Sequence, residues 1–283
     1  MIMVKILSAS PDTLLPLSGN VETFRIGGCA VGDLIRSRFP RNCRNEISVR
    51  GNFIPSKKIT DFLAGEKPVR VLSPEDGSVL ADNGGSGPEE MFPDAESMLI
   101  RFPWDLLRLN ELVLADIVQD VRGEIRERVT IDGIIQLGEE SVILPGVFIE
   151  GNVTIGRNCK IGPNCYIRGN TTIGDHCHIG QAVEIKNSIL RDHVSIGHLS
   201  YAGDSIIDSN VNFGAGTIIS NLRHDGKQHL CMNNGTLVPT GRRKFGAIIG
   251  AGVHTGIHTA IYPGRTLSKG SSTRPGEIVM RAR

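Results

Sequence analysis

A six-residue period is the feature of this sequence that most constrains its fold. An aliphatic side chain occupies every sixth position across the middle of the chain, and all but one of them are isoleucine. The positions are Ile125, Ile131, Leu137, Ile143, Ile149, Ile155, Ile161, Ile167, Ile173, Ile179 and Ile185. The period matches neither an α-helix, with about 3.6 residues per turn, nor the heptad of a coiled coil. A strand plus a corner fits one side of a prism, so coils of about 18 residues are predicted to stack as a parallel β-helix.

Residues that favour tight corners recur beside these aliphatic positions. Glycine often follows the aliphatic residue, as at Gly156, Gly162, Gly174 and Gly180. Asparagine recurs with the same spacing at Asn152, Asn158, Asn164 and Asn170. Both residue types tolerate the positive φ that a sharp corner requires. The pattern therefore predicts short strands separated by corners.

The six-residue count fails in two ways. Ile196 follows Ile185 by eleven residues, and Ile207 follows Ile196 by eleven. A polar and basic stretch then runs from Asn221 to about Phe245, which predicts a loop expelled from the coil. The count returns at Ile249, Thr255, Ile261, Leu267, Thr273 and Val279. Because function is often carried by the irregular parts of a rigid scaffold, we expect the functional site at these breaks.

About the first 110 residues lack the period. Short helices are predicted at 31–38 and 59–64, strands at 46–50 and 69–72, and a loop at 83–88. A further helix is predicted to begin at Pro103 and to end near Asp116. The predicted fold class is therefore mainly β, with a small N-terminal α/β domain over residues 1–118 and a hexapeptide-repeat β-helix over residues 119–283.

Composition and charge argue against several classes of partner. The net charge is +1 and charged residues make up 22% of the chain, so general binding to nucleic acid or to a membrane surface is not expected. The N-terminus lacks the features of a signal peptide, and no stretch approaches the roughly 18 apolar residues of a membrane span. Six cysteines without a secretory signal disfavour disulfides. The expected location is the cytoplasm.

Four segments carry a resemblance to a known family. They are HLSYAGD at 198–204, NFGAGT at 212–217, NLRHDGK at 221–227 and TGRRKFGAIIG at 240–250. Together they resemble the acetyltransferase half of bifunctional glucosamine-1-phosphate N-acetyltransferase/UDP-N-acetylglucosamine pyrophosphorylases. The last segment is most similar to archaeal-type members and related sugar nucleotidylyltransferase-like proteins. The resemblance covers roughly residues 120–265 and implies a left-handed β-helix, a homotrimer and a role in UDP-N-acetylglucosamine biosynthesis.

The N-terminal domain departs from that family. Complete pyrophosphorylases open with a glycine-rich segment that binds the nucleotide, whereas this chain has ILSASPDTLLPL at 6–17. The glycines and the arginine of that segment are absent, and the domain has about half the usual length. The resemblance therefore implies a reduced nucleotidyltransferase-like domain, and nucleotide transfer is not expected of it.

The resemblance also implies roles for residues in the β-helix. His198 matches the catalytic base, for which an imidazole suits the working pH; a solvent-facing loop histidine is the alternative. Arg168, Lys186 and Lys227 match contacts to the sugar phosphate. Since Arg168 and Lys186 are 18 residues apart, they should stack one coil apart and repel unless an anion lies between them, which favours a phosphate clamp. Lys227 alone also fits an ordinary surface cation.

Further matches concern the sugar, the acetyl group and coenzyme A. Tyr201, Asn212 and Asn221 match contacts to the sugar or the acetyl group, although both asparagines also suit turns. Ala215 and Gly216 lie in a run of small residues, where a backbone amide could approach the thioester. The basic run Arg242, Arg243 and Lys244 suits either coenzyme A phosphates or a neighbouring subunit's substrate, with a solvated loop as the alternative. Glu184 is a candidate for orienting His198.

Three cysteines with their neighbouring histidines, and two departures from the family pattern, complete the candidate residues. Cys159, Cys165 and Cys177 precede stacked isoleucines by two residues, and we interpret them as small inward residues rather than metal ligands. His176 and His178 flank Cys177 and are expected at the surface; no zinc motif is present and no metal is expected. Many members of the resembled family carry tyrosine at the position of Leu222, where the archaeal type has leucine as here, and they carry lysine at that of Leu230, so substrate choice or rate is expected to differ.

The leading hypothesis is an acetyl-CoA-dependent N-acetyltransferase acting on an amino-sugar 1-phosphate. Glucosamine-1-phosphate is the favoured acceptor and galactosamine-1-phosphate a second one, with acetyl-CoA as co-substrate and no metal. One alternative is a non-catalytic trimeric scaffold or sugar-phosphate sensor, which the reduced N-terminal domain favours. Another is a sugar-1-phosphate nucleotidyltransferase, against which the missing glycine-rich segment argues.

Overall fold

A computed structural model of the chain describes residues 3–9, 14–40, 46–233 and 235–282. They form two compact units: the first contains Gly19–Arg25 and Cys29–Arg101, and the second contains Ile26–Gly28 and the chain from Phe102 onwards. The helices are α1 (Val31–Ser37), α2 (Lys57–Ala64) and α3 (Pro103–Leu114), with a 3₁₀ turn at Val21–Thr23. Among the described residues, none of these helices is long and apolar enough to cross a membrane.

The first unit is an α/β unit built on a mixed five-stranded sheet. The sheet order is β1-β4-β7-β6-β8, with parallel pairing of β1 with β4 and of β6 with β8, and antiparallel pairing elsewhere. The strands of this part of the chain are β1 (Met3–Leu7), β2 (Arg25–Ile26), β3 (Cys29–Ala30), β4 (Glu46–Arg50), β5 (Phe53–Ile54), β6 (Val69–Leu72), β7 (Val79–Asp82), β8 (Glu89–Met91) and β9 (Met98–Leu99). The predicted helices at 31–38 and 59–64 and strands at 46–50 and 69–72 are confirmed, with ends shifted by at most two residues.

The second unit contains α3 and a solenoid of short parallel strands. Its strands are β10 (Asp120–Val121), β11 (Glu124–Ile125), β12 (Thr130–Leu137), β13 (Val142–Ile143), β14 (Phe148–Ile155), β15 (Lys160–Ile161), β16 (Tyr166–Arg168), β17 (Thr171–Ile173), β18 (His178–Ile179), β19 (Glu184–Lys186), β20 (Ile189–Leu190), β21 (Ser195–Ile196), β22 (Tyr201–Gly203), β23 (Ile206–Ile207), β24 (Asn212–Phe213), β25 (Ile218–Ile219), β26 (Leu230–Asn233), β27 (Thr236–Pro239), β28 (Ala247–Ile249), β29 (His254–Thr255), β30 (Ala260–Ile261), β31 (Arg265–Leu267) and β32 (Ile278–Val279). The helix predicted at Pro103 begins there and lies in this unit, so α3 groups with the solenoid; the domain boundary after residue 118 stays a prediction.

The solenoid strands line three faces, each visited once per coil. The first face runs from β10 through β17, β20, β23 and β28 to β31. The second is the seven-stranded sheet β11-β13-β15-β18-β21-β24-β29. The third begins with the N-terminal halves of β12 and β14 and continues through β16, β19, β22, β25 and β30 to β32. Each strand therefore pairs in parallel with the strand one coil further on.

The predicted aliphatic column forms the core of the solenoid. Of the eleven positions between Ile125 and Ile185, all from Leu137 onwards are buried, and Ile125 and Ile131 are partly buried against the same core. Cys159, Cys165 and Cys177 are also buried, as expected of inward residues, and His176 and His178 are exposed. The structure thus confirms the parallel β-helix of hexapeptide repeats and the small α/β unit at the N-terminal end.

The irregular steps in the sequence come from two shortened corners. Ile167 pairs with Ile185, a step of 18 residues, whereas Ile185 pairs with Ala202 and Ala202 with Ile219, steps of 17. The missing residue falls between the third and first faces, at Asn187 in one coil and at Asp204 in the next. His198, which lies between the two shortened corners, occupies an unshortened corner.

The predicted expelled loop is confirmed. After β25 the chain leaves the solenoid and returns to the first face only at β28. Residues 221–245, called here the ejected segment, contain the antiparallel pair β26 and β27. The segment closes on itself at Leu222 and Lys244, which form an isolated antiparallel bridge. It therefore leaves and rejoins the coil at nearly the same point.

Candidate functional site

Two columns of outward side chains cross the third face. Because β16, β19 and β22 pair in parallel, Arg168, Lys186 and Gly203 stand in one register. Glu184 and Tyr201 stand in the neighbouring register. The predicted stacking of Arg168 and Lys186 one coil apart is therefore correct. We call Arg168, Glu184, Lys186, Tyr201, Asp204 and Asn221 the polar cluster.

Each cation of the polar cluster has its own carboxylate. Arg168 Nε donates to Glu184 Oε1 at 2.8 Å, and Lys186 Nζ donates to Asp204 Oδ2 at 2.9 Å. Protein carboxylates therefore balance both cations, so their stacking does not by itself require an anion between them, and the phosphate clamp stays a prediction. Burial alone lowers the pKa of Arg168, but the hydrogen bond and charge of Glu184 outweigh it and leave that pKa raised. Glu184 bonds Arg168, so the idea that it orients His198 is not supported.

Asp204 is the residue that connects most of the polar cluster. Its carboxylate accepts hydrogen bonds from Lys186, from Asn187 Nδ2 at 3.0 Å and from Asn221 Nδ2 at 2.6 Å. Its side chain is only 3% exposed, so these donors replace the water that an ionised carboxylate needs. No sequence pattern predicts this role for Asp204, although the eleven-residue steps indicate a shortened corner.

Asn221 and Tyr201 meet where a glycine leaves space. Asn221 Nδ2 donates to Tyr201 Oη at 2.9 Å. A Cβ atom added at Gly203 would lie 2.7 Å from Asn221 Nδ2 and would also strike Tyr201 Oη. Burial raises the pKa of Tyr201, and the charges of Asp204 and Glu184 raise it further. Gly203 therefore interrupts the column of long outward side chains so that these two polar groups can pair.

Helix α3 anchors the far end of the ejected segment. Arg242 forms an ion pair with Glu111 of α3, and its side chain is 18% exposed. Glu111 Oε1 also accepts from Asn187 Nδ2 at 2.9 Å, which links this pair to Asp204. The proposed contact of Arg242 with coenzyme A phosphates is therefore not supported, since its guanidinium is committed inside the unit. Arg243 and Lys244 are exposed.

His198 lies at the corner between the second and third faces, three residues before Tyr201. The backbone at this corner is tied to the next coil, because Gly216 N–H donates to the His198 carbonyl at 2.7 Å. That bond occupies the Gly216 amide, whereas the Ala215 N–H has no hydrogen-bond partner among the described residues. The His198 side chain is exposed, and its charge affects the pKa of His178. Burial lowers the pKa of His178, and the charges of Lys160 and His198 lower it further.

Two predicted residues stand apart from the polar cluster. Asn212 points outward from β24 on the second face, in register with Ser195 and His254. Lys227 is exposed in the ejected segment, and its N–H donates to Asp225 Oδ1 at 3.1 Å. The structure of one chain therefore brings together Arg168, Lys186, Tyr201 and Asn221, but neither Asn212 nor Lys227.

A pocket of about 470 Å³ lies under the ejected segment, on the strands of the third face beyond Tyr201. No pattern in the sequence predicts this pocket, because its floor and roof come from coils and a loop that are distant along the chain. It is lined by Ile218, Ser220, Leu222, Arg223, His224, Asp225, His229, Leu230, Ala260, Ile261, Tyr262, Pro263 and Arg265. We call it the apolar pocket, after its leucine, isoleucine, alanine, proline and tyrosine lining.

Comparisons with known proteins agree with the predicted resemblance. Residues 149–268 match the family model described as the GMPPB C-terminal domain. The chain is 41% identical over 180 residues to the bifunctional sugar-1-phosphate nucleotidylyltransferase/acetyltransferase of Sulfurisphaera tokodaii, covering 63% of this chain and 45% of that protein. It is 51% identical over 172 residues to the bifunctional protein GlmU of Methanococcus maripaludis, covering 61% and 42%. The chain thus spans less than half the length of these curated relatives.

The predicted resemblance to these bifunctional proteins is confirmed by that similarity. The names of the relatives agree with the predicted class of enzyme, an acyltransferase. Among solved structures, the UDP-N-acetylglucosamine acyltransferase of Francisella novicida is 17% identical, with 55% of this chain and 60% of that chain covered and a TM-score of 0.23.

Proposed function

We propose that this chain catalyses acetyl-CoA-dependent N-acetylation of an amino-sugar 1-phosphate, with glucosamine-1-phosphate as the favoured acceptor. The observation that carries the proposal is the convergence of Arg168, Lys186, Tyr201 and Asn221 on the third face. The corner that leads into this face carries His198. Cations for a phosphate, hydrogen-bonding groups for a sugar and a base for an amine thus occur on adjacent coils.

The polar cluster suits a phosphorylated sugar. Arg168 offers a planar fork of N–H donors, and Lys186 a compact positive charge, both suited to phosphate oxygens. Glu184 and Asp204 hold these cations in place before any ligand binds, so little side-chain ordering remains to be done on binding. Tyr201 Oη and the Asn221 amide can hydrogen-bond sugar hydroxyl groups from the next strand.

His198 is the proposed base for the transfer step. Its neutral imidazole takes a proton from the sugar amine as the nitrogen attacks the thioester carbonyl carbon. The C–N bond forms, the C–S bond breaks, and the coenzyme A thiolate leaves and takes up a proton. The Ala215 N–H, which has no partner among the described residues, is the proposed donor to the oxyanion. Arg243 and Lys244 remain candidates for the coenzyme A phosphates.

Asn212 and Lys227 keep their predicted roles as contacts to the substrate only within the proposed homotrimer. Asn212 lies on the second face and Lys227 on the exposed part of the ejected segment. Either side chain would have to reach the polar cluster of another copy, or move on binding. We therefore treat both as proposals that depend on oligomeric state.

Release of coenzyme A from acetyl-CoA in the presence of glucosamine-1-phosphate tests the proposal. The same assay with galactosamine-1-phosphate tests the second acceptor. We expect His198→Ala to lower kcat by roughly 100-fold or more, because it removes the base. His176→Ala is the matched control, since His176 is exposed at a different corner of the solenoid. No release above the His198→Ala background with either acceptor would refute the proposal.

Two other outcomes would point to the alternative functions. Binding of sugar phosphate without turnover would favour a non-catalytic scaffold or sensor. Consumption of UTP with a sugar 1-phosphate would favour a nucleotidyltransferase. Part of the N-terminal segment that bears on this question, residues 10–13, lies outside the described residues.

A further inference from the structure

The apolar pocket begins where the polar cluster ends. Ile218 on the pocket floor pairs with Tyr201 of the polar cluster, and Ala260 pairs with Ile218 one coil further on. Adjacent strands lie about 4.8 Å apart, so the floor starts one strand from Tyr201. The roof begins at Leu222, directly after Asn221, which donates to Tyr201. A ligand at the polar cluster therefore has the pocket beside it.

The pocket has the size and the chemistry of a site for an apolar group. Its volume of about 470 Å³ falls in the range of about 300–1,000 Å³ that is usual for ligand pockets. Ile218, Leu222, Leu230 and Tyr262 are each between 41% and 45% exposed, which leaves apolar surface that a ligand could cover. Leu222 and Leu230 both lie on the roof, among the residues that line the pocket.

The surroundings of the pocket are positively charged. The ejected segment contains five lysine or arginine residues and one aspartate, a difference of four positive charges. Arg265 on the pocket wall donates to the backbone carbonyls of Met280 and Pro263, which carry no formal charge. An apolar group attached to a polyanion would therefore be favoured over a neutral apolar ligand.

We infer that the apolar pocket receives the acyl chain of the coenzyme A thioester, and that the protein accepts acyl groups longer than acetyl. The inference rests on the proposed function, since it names the class of donor for the same site. The acyl chain would lie on Ile218 and Ala260 under Leu222 and Leu230. The phosphates of coenzyme A would face the basic ejected segment. An acetyl group would leave most of the pocket unfilled.

Binding of a donor series without acceptor tests the inference separately from turnover. The dissociation constants of acetyl-, butyryl- and hexanoyl-CoA for the whole chain would be measured by calorimetry. Burying one methylene is worth about a fourfold change in affinity, and hexanoyl has four more methylenes than acetyl, so even partial burial should make hexanoyl-CoA bind at least about tenfold more tightly than acetyl-CoA. Coenzyme A release with glucosamine-1-phosphate is measured in parallel, and its failure would bear on the proposed function alone.

Variants of the pocket show whether the acyl chain lies there. Ala260→Phe fills the floor from an outward strand position, and Leu230→Glu places a charge on the roof; both should remove the preference for hexanoyl-CoA. Leu237→Phe is the matched control, because Leu237 is 54% exposed and does not line the pocket. Equal affinities for the three donors, or a chain-length preference that survives both pocket variants, would overturn the inference. Equal affinities for the three donors, together with a changed mass of Ala260→Phe in sedimentation, would also overturn the inference. They would indicate that another copy of the chain covers the pocket.

Discussion

The early and the middle coils of the solenoid turn the same corner with different residues. Between the third and first faces, the early coils use Gly151 and Gly169, at φ +90° and +69°. The next two coils use Asn187 and Asp204, at φ +47° and +49°. A Cβ added at Gly169 would lie 3.3 Å from the Cβ of Asn187, so the two residues stack directly. The same backbone position thus carries no side chain in one region and a polar one in the other.

The difference separates what the fold needs from what the site needs. A corner with positive φ costs glycine nothing, whereas other residues pay roughly 1–2 kcal/mol, and asparagine or aspartate less. Glycine would therefore satisfy the fold at all four corners. Asn187 and Asp204 accept the strain: the Asp204 carboxylate accepts hydrogen bonds from Lys186 and Asn221, and the Asn187 amide donates to Asp204. Positive φ alone does not distinguish these two corners, because Asn158 and Asn164 in earlier coils also have it; the hydrogen bonds of Asn187 and Asp204 do.

The largest effect is expected from Asp204→Ala. Lys186 would be left without its buried carboxylate, and removal of one partner of a buried pair costs about 3 kcal/mol or more. Unfolding in denaturant can be followed by Trp104, the single tryptophan, which packs edge-on against Phe245 in the solenoid unit. Glu184→Ala should cost only about 0.5 kcal/mol, because both members of that pair are about one-third exposed.

Asp208→Ala provides a matched control for Asp204→Ala. Asp208 is also buried and pairs with a cation, Arg191, at 2.7 Å, but it contacts no member of the polar cluster. Both variants should lose similar stability. Only Asp204→Ala should increase hydrogen exchange in the ejected segment, and equal exchange there in the two variants would contradict the role given to Asp204.

Gly203→Ala should have the next largest effect. The added methyl group would collide with the Tyr201–Asn221 hydrogen bond, and we expect a loss of about 1–3 kcal/mol from overpacking. The backbone itself is not strained, since Gly203 is not at positive φ. Removing the Tyr201 hydroxyl as well, in a Gly203→Ala/Tyr201→Phe double variant, should recover part of the loss. Additive losses in the double-mutant cycle would show that the two residues do not meet.

An exchange of corner residues should have a smaller effect on stability. Asn187→Gly relieves strain but removes the amide that joins Glu111 to Asp204, so the net change should stay within about 1 kcal/mol. Hydrogen exchange near Arg242 should nonetheless rise. The reverse change, Gly169→Asn, should destabilise the early coils without altering the ejected segment. A rise in exchange that is the same for both variants would remove the contrast between the two regions.

The smallest effect concerns pH. Burial lowers the pKa of His229, and the charges of Arg223 and Arg265 lower it further. The unfolded segment therefore binds a proton before the folded one, so stability is complete above the ordinary histidine pKa of about 6.5 and declines as the pH falls below it. We expect protease cleavage of the ejected segment to increase by a few-fold between about pH 7.5 and 5.5. A His229→Gln variant should lose this dependence.

The core of the solenoid was predictable because it depends on a local pattern. Side chains at a fixed period of six point inward whatever the neighbouring coils contain, so Ile143 through Ile185 could be placed without knowledge of their partners. The α/β unit was predicted less fully: β4 and β6 were identified, but β1, β7 and β8 were not. β8 is short and polar, whereas β1 and β7 are as long as the predicted strands β4 and β6; pairing across the sheet places all three in it.

The site was predictable only where the resemblance named residues. Arg168, Lys186, Tyr201 and Asn221 converge as expected, whereas Asp204, Asn187 and Glu111 entered no prediction. The ion pair of Arg242 was not predicted, because its partner, Glu111, lies 131 residues away along the chain. No local pattern reports a partner at that distance.

The sequence by itself therefore determined the repeat, its corners and the point at which a segment leaves the coil. All three follow from burial period and from the φ preferences of glycine and asparagine, which act over a few residues. The tertiary structure alone decided which corners were shortened, which carboxylate balances each cation and what lines the apolar pocket. These depend on distances between coils, where the cost of burying an unpaired charge selects the partner.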